Sequence, residues 1–247
     1  MNLIVDIGNT RTKLAVMEGG KVVAQRSVER LYAGVIDELI VDYPTVCQAI
    51  VCSTRDDGQA VAELIRLKGC RCVVFTPQMS VPLANAYRTP KTLGRDRLAA
   101  AVGAALLYPS RNVLIVDFGT ALTLDLVSAD ATYRGGFISP GVQTRFRALH
   151  DYTAKLPLCS ASNEILPLGV TTQTSIVQGV MCGVTYEIEG HIARMSAEYG
   201  DLCIIFTGGE AKYFVERIKN TIFADWNLIF CGLNRILEYN ASEKNLD

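Results

Sequence analysis

One short phrase occurs twice in the chain: Leu3-Ile4-Val5-Asp6-Ile7-Gly8-Asn9-Thr10 returns as Leu114-Ile115-Val116-Asp117-Phe118-Gly119-Thr120-Ala121. Each copy is an apolar, β-rich run that reaches an aspartate, then after one intervening residue a glycine, then a hydroxyl or amide side chain. The run reads as a buried strand. The turn at its end suits phosphate: glycine permits φ > 0 and close approach of an oxyanion to backbone N–H groups, Asn and Thr add polar contacts, and Asp can hold a cation. The repetition implies two related half-molecules whose turns, facing across a cleft, would grip a nucleotide from both sides. A single aspartate in such a place is more often a turn cap. Two copies in matching context favour phosphate and cation binding.

The flanking pattern repeats as well. Asn2 to Asp6, Lys13 to Met17 and Lys21 to Arg26 read as three strands, the last two joined by a Gly19-Gly20 hairpin turn. Val113 to Asp117, Leu122 to Val127 and a strand running toward Ile138, after a polar turn at Ser128 to Ala131, repeat the same plan. Between the halves, helical patterns at Val35–Tyr43 and Ala60–Leu67 alternate with short apolar strands at Ala49–Ser53 and Cys72–Thr76. A surface loop is expected from Pro77 to Pro90, then a helix over Leu98–Leu107. The second half adds a long helix over Ser175–Ala197, a strand over Leu202–Phe206, and helices over Ala211–Ile218 and Leu233–Tyr239. This alternation gives an α/β fold, with domains expected at 1–112 and 113–247.

Bulk properties narrow the function. The chain has 247 residues, 49% hydrophobic and 20% charged, which is ordinary globular composition. A net charge of −1 leaves no basic surplus for a nucleic-acid backbone, so no nucleic-acid partner is expected. Eight cysteines accompany only two histidines, and Cys70-x-Cys72 lacks zinc-site spacing; Cys47, Cys52, Cys72 and Cys203 lie in or beside apolar runs and read as buried free thiols. Met1 leads directly into the first strand without a signal-peptide pattern, and no apolar stretch reaches the roughly 18 residues of a membrane span. The expected location is cytoplasmic, with no membrane partner.

Several residues carry possible chemistry, each with a plain alternative. Lys13 comes just after the first turn and suits a phosphate contact, or is an ordinary solvated lysine. Asp125 alternates with apolar neighbours and is either an outward strand residue or a support for the site. Thr207-Gly208-Gly209, after an apolar strand, offers bare backbone to a base or ribose, or simply ends the strand. Asp96, between Arg95 and Arg97 at a helix start, is either a helix-terminal acid in a surface ion pair or a proton acceptor paired with a substrate-binding guanidinium. Thr171, Thr172 and Ser175 form a hydroxyl cluster at a helix N-terminus, where capping and ligand binding are compatible. P-loop and Rossmann fingerprints are absent.

The ordered set Asp6-x-Gly-Asn-Thr10, Tyr87-Arg-Thr-Pro90 leading into Leu93-Gly-Arg-Asp-Arg97, Asp117-Phe-Gly-Thr-Ala121, Gly135-Gly-Phe-Ile-Ser-Pro-Gly141, Gly169-Val-Thr-Thr172 with Ser175, and Thr207-Gly-Gly209 resembles the type III pantothenate kinases. The resemblance spans residue 1 to about residue 211. It implies the actin-like ATPase fold of hexokinase and heat-shock-chaperone type, with two ribonuclease-H-like domains flanking a nucleotide cleft. It also implies a homodimer that phosphorylates pantothenate with ATP in coenzyme A synthesis.

By position, the resemblance assigns Asp6, Ile7, Gly8, Asn9, Thr10, Arg11, Thr12 and Lys13 to ATP, with Mg2+ near Asp6. Thr120, Gly208 and Gly209 also serve the nucleotide. Asp117 would hold a monovalent cation, K+ or NH4+. Asp96 would accept the proton of the pantothenate hydroxyl, with Tyr87, Gly94, Arg95, Arg97 and Thr172 lining the acceptor site. Arg95 stands where the family carries a small residue. Another actin-like small-molecule kinase, or a non-catalytic transcriptional accessory factor of the same fold, is the competing expectation. The long helix carries Met181, Val184, Tyr186 and Ile188, more apolar surface than one face needs, and part of it is expected to meet a dimer partner.

Overall fold

The computed structural model describes residues 1–76, 78–218, 223–224 and 227–243. Two compact units share the chain: one of Met1–Pro109, Ala131–Arg134 and the segment from Asn227, the other of Ser110–Asp130 and Gly135–Trp226.

The first unit opens with β1 (Asn2–Ile7), β2 (Thr12–Glu18) and β3 (Lys21–Val28), an antiparallel meander. Gly19 and Gly20, at φ +54 and +79, make the tight turn between β2 and β3, a conformation that glycine adopts without a Cβ penalty. After α1 (Ala33–Asp42), β4 (Gln48–Ser53) returns parallel to β1; after α2 (Gly58–Leu67), β5 (Arg71–Val74) adds parallel to β4. The sheet order is β3-β2-β1-β4-β5. Leu3, Val5 and Ile7 of β1 pack with Leu14, Val16, Ile36 and Ile65 in one core, while Ile4 is fully buried on the opposite face. Burial on both faces explains why β1 reads as a continuous apolar run instead of an alternating one. Further on come β6 (Ala84–Asn85) and α3 (Arg95–Leu107).

The second unit repeats the plan. β7 (Asn112–Phe118) pairs antiparallel with β8 (Ala121–Ser128), which is followed by β9 (Thr132–Pro140), and the later strand β10 (Leu202–Thr207) lies parallel to β7, with β11 (Phe223–Ala224) parallel beyond it. The order β9-β8-β7-β10-β11 matches β3-β2-β1-β4-β5 strand for strand. The duplicated phrase therefore marks a duplicated sheet. Two helices intervene, α4 (Val142–Asp151) and α5 (Thr172–Tyr199). Phe118 packs edge-on against Phe206, centroids 5.1 Å apart, and stacks on Phe214 at 4.8 Å. Met181, Val184 and Ile188 of α5 are fully buried in this unit's own core, so the apolar surplus expected to face a partner does not include them; Tyr186 remains exposed.

The final helix, α6 (Leu228–Glu243), belongs to the first unit, whereas a cut at residue 112 assigns it to the second. Small residues explain the docking: a Cβ at Gly103 of α3 would lie 2.2 Å from the Leu228 carbonyl oxygen, and one at Gly232 only 1.8 Å from that of Ala99. Asn2 Nδ2 also donates to Asn234 Oδ1 at 2.8 Å.

Other expectations need correction. Ala211–Ile218 is not a helix but a 3-10 turn, Ala211–Tyr213, followed by turns; Ala211, Phe214 and Ile218 have helical spacing, and single turns suffice to bury all three. The expected loop before α3 contains β6, which pairs with Thr132 and Tyr133; its expected start, Pro77, lies outside the described residues. Cys47 is exposed, while Cys52, Cys70, Cys72 and Cys203 are buried and free. Among the described residues, no helix is long and apolar enough to cross a membrane.

Candidate active site

In the first unit, β1 delivers Asp6 to the sheet's end, 7% exposed and in register with Lys13 of β2 and Cys52 of β4. Ile7 is buried behind it. The chain then turns tightly: Gly8 N–H donates to the Arg11 carbonyl at 3.0 Å, leaving Asn9, Thr10 and Arg11 exposed at the tip and Thr12 buried at its return. Asn9, Thr10 and Arg11, with Glu29, Arg30 and Arg55, line a cavity of about 840 Å³. Three guanidinium groups against one carboxylate make this wall strongly cationic.

The start of α3 contributes the second element. Asp96 lies in its first turn, where helix N–H groups favour negative charge. Its Oδ1 accepts from Arg97 N–H at 2.9 Å. Gly94 is needed for this arrangement, since a Cβ there would come within 2.6 Å of the same oxygen. Arg97 is 7% exposed, and Arg95 Nη1 donates to the Ser53 carbonyl at 3.2 Å. Burial pushes the Cys52 thiol well above its ordinary value, and the negative charges of Asp6 and then Asp96 push it further, against Arg95. Asp6 and Asp96, 90 residues apart, thus act on one buried sulfur. Arg95 also ties the start of α3 to the end of β4, where Ser53 is in register with Ile7 of β1. Tyr87 stands by the same unit's Tyr133, ring centroids 6.0 Å apart.

In the second unit Asp117 occupies the place of Asp6, in register with Thr123 and Thr207. Gly208, at φ +90, lies so close that a Cβ would meet Asp117 Oδ1 at 2.4 Å and Phe118 N at 2.6 Å. Gly209 beside it has open space. The Thr120 carbonyl accepts from Gly141 N–H at 3.1 Å and Thr144 Oγ1 at 2.7 Å, which ties the turn to the start of α4. Asp125 is buried, 1% exposed, with its carboxylate against Gly136, so the outward alternative is excluded.

Thr172 lies at the start of α5 in the second unit. Thr171 caps the helix: its Oγ1 accepts from Thr174 N–H at 3.1 Å while Thr174 Oγ1 accepts from Thr171 N–H at 2.9 Å. Thr171, Thr172 and Ser175 form the hydroxyl rim of a cavity of about 1260 Å³ whose walls include Leu149, Tyr152, Ile176 and Arg145. Arg145 donates to the Pro140 carbonyl at 2.8 Å and to Ser139 Oγ at 3.2 Å, and pairs with Glu187 of α5. Burial raises the Glu187 carboxyl, but hydrogen bonds from Ser139 and Arg145 outweigh it and hold the group below its ordinary value.

Sequence reading missed Arg55 and the Arg145–Glu187 pair. Arg55 lies just past the C-terminal end of a parallel strand, the edge where ligands gather in α/β sheets, and that placement was its available signal. Among the described residues, no cluster of three His, Cys, Asp or Glu side chains could hold a metal. A single carboxylate such as Asp6 fits Mg2+ that arrives with phosphate oxygens, since Mg2+ is commonly held by one or two carboxylates plus substrate phosphates.

A sequence model of the type III pantothenate kinase family matches residues 2–194. A type III pantothenate kinase of Phocaeicola vulgatus is 39% identical over 240 residues, covering 97% of this chain and 99% of its own. Among solved structures, a conserved candidate Baf family transcriptional activator from Campylobacter jejuni aligns at TM-score 0.62 and 20% identity, covering 97% of this chain and 99% of that one. MreB5 of Spiroplasma citri bound to ADP aligns at TM-score 0.52 and 11% identity, covering 100% and 98%. These structural likenesses establish the actin-like ATPase fold that the two matching sheets describe. With the family match across most of the chain and near-complete coverage of the relatives, the protein belongs to the type III pantothenate kinase family.

Proposed function

We propose that this chain transfers the γ-phosphoryl group of ATP to the hydroxyl of pantothenate, giving 4'-phosphopantothenate, the first step of coenzyme A biosynthesis. The observation that carries the reading is the Arg95 Nη1 hydrogen bond to the Ser53 carbonyl at 3.2 Å, which ties the start of α3, with Asp96, to the strand end beside β1, with Asp6. A phosphate turn and a carboxylate at a helix start, brought this close, are what a hydroxyl-directed kinase needs.

Asp6 through Lys13 bind the phosphates of ATP, and Asp6 would hold the Mg2+ that accompanies them. In the second unit, Thr120, Gly208 and Gly209 serve the nucleotide, and Asp117 holds a monovalent cation, K+ or NH4+. Mg2+ held at Asp6 would supply charge neutralisation on the transferring group. Asp96 takes the hydroxyl proton as the acceptor oxygen forms its bond to the γ-phosphorus and the bond to the ADP oxygen breaks. Positioning and charge neutralisation supply most of the rate, as is general for phosphoryl transfer. Buried Arg97 pairs with the pantothenate carboxylate, an interaction a planar guanidinium suits. Tyr87, Gly94, Arg95 and Thr172 complete acceptor recognition. The active species is a cytoplasmic homodimer, a reading supported by exposed Tyr152 and Val170 at the larger cavity and by exposed Leu158, Ile165 and Leu168 in the segment between α4 and α5.

A coupled assay of ADP release with a panel of acceptors tests this directly. Pantothenate should be turned over and sugars and acetate should not. Turnover of a sugar in preference to pantothenate would move the chain to another actin-like kinase activity.

A further inference from the structure

We propose that Arg55 is a phosphate-binding residue of the nucleotide site, a role that rests on the assignment of Gly8–Lys13 to ATP. Arg55 lies just past β4 and projects to the cavity that the tip of the phosphate turn lines. Its backbone is firmly held: Ser53 Oγ accepts from Arg55 N–H at 3.0 Å and donates to Asp57 Oδ1 at 3.0 Å and the Arg55 carbonyl at 2.9 Å. From the other side, Arg95 Nη1 fixes the Ser53 carbonyl. The loop thus stands between the phosphate turn and the acceptor loop of the same unit.

The guanidinium itself is loosely engaged. Nη2 reaches Thr12 Oγ1 at 3.4 Å and Asp57 Oδ2 at 3.3 Å, both long for hydrogen bonds, and buried Nε has no partner among the described residues. A guanidinium carries five donors, and buried ones are ordinarily satisfied. Arg11 and Arg30 face the same cavity with Glu29 as the sole carboxylate, so the wall is short of negative charge. The Arg55 side chain is 34% exposed and lines the cavity, so the open edge of its guanidinium can take a phosphoryl oxygen, which supplies the missing negative charge; Arg recognises phosphate with a bidentate fork. The existing contact with Asp57, 45% exposed, contributes little to stability, as exposed pairs generally do.

The test compares Arg55→Ala, Arg55→Lys and Lys13→Ala in the full chain by calorimetry with Mg·ATP, by steady-state kinetics for both substrates, and by thermal melting. Arg55→Ala should raise the Kd and KM for ATP about tenfold to a hundredfold, the worth of a charge-assisted contact, with the KM for pantothenate and Tm unchanged. Arg55→Lys should recover part of the loss, because it keeps the charge without the fork. If Lys13→Ala weakens ATP binding and Arg55→Ala does not, the Arg55 role is overturned while the ATP assignment stands. If neither changes ATP binding, the assignment itself fails. A loss that reaches both substrates equally and lowers Tm would mark a structural strut and likewise overturn the proposal.

Discussion

Gly208 and Gly209 are adjacent glycines that should respond to alanine in opposite ways. At Gly208 φ is +90, and a Cβ would lie 2.4 Å from Asp117 Oδ1 and 2.6 Å from both the N and O of Phe118. At Gly209 nothing lies within 4 Å. Holding a non-glycine residue at such a φ costs about 1–3 kcal/mol, and forcing an extra methyl into a packed site about 1–3 kcal/mol more. Gly208→Ala should therefore destabilise by roughly 2–6 kcal/mol, a fall in Tm of roughly 4–24 °C at the 2–4 °C per kcal/mol typical of a chain this size. The Asp117 carboxylate must also shift, so the KM for ATP should rise in whatever protein remains folded. Differential scanning calorimetry of the two alanine variants beside wild type measures the first effect, and initial-rate kinetics the second. Equal Tm values for Gly208→Ala and Gly209→Ala would refute the reasoning, because the close approach to Phe118 would then not exist in the folded protein.

Three further outcomes are expected. Asp117→Asn should weaken the dependence of activity on K+ or NH4+ and raise the apparent KM for ATP, since a bound cation is often the largest local charge in a phosphate site; full wild-type activity without either cation would remove that role. Glu187 is held below its ordinary carboxylate value, so its pairing with Arg145 stabilises the folded state above the unfolded-state pKa and this is lost as pH falls through the lower folded value. Glu187→Gln should accordingly be less stable than wild type at pH 7 but approach it in strong acid, and a stability gap that persists at acid pH in denaturant titrations would contradict the ion-pair origin. Met181→Glu places a charge in the second unit's core and should unfold the protein, whereas Tyr186→Glu alters an exposed site and should leave it folded. Circular dichroism of the two variants decides, and a folded Met181→Glu protein would be the contrary result.

Much of this architecture is legible in the sequence because its cause is local. The two apolar runs ending in Asp-x-Gly announce equivalent strands, and register then carries Lys13 to Asp6 and Thr207 to Asp117 without further instruction. The features missed depend on distant packing. Nothing in the sequence links Gly103 to Gly232; only their close approach shows why α6 joins the first unit. The segment after Gly209 has the spacing of a helix, yet three buried side chains are all that spacing guarantees. Within the candidate site, the Gly-led turn singles out Asp96 as a candidate in the sequence, while Arg55 has only its place just past a strand as a signal. Its neighbour in sequence, Asp56, is equally charged, and only the fold distinguishes the arginine aimed into a cavity from a solvated surface charge.

The assignment of Asp96 as proton acceptor is tested most directly by Asp96→Asn, with calorimetry and steady-state kinetics on one preparation. Asparagine preserves the shape of the side chain and a carbonyl oxygen for the Arg97 N–H, so binding of ATP and pantothenate should remain near wild type. Loss of the base should lower kcat by about 10² to 10⁴, the usual worth of a positioned general base. A variant that binds both substrates and turns over at a near-normal kcat would contradict the account.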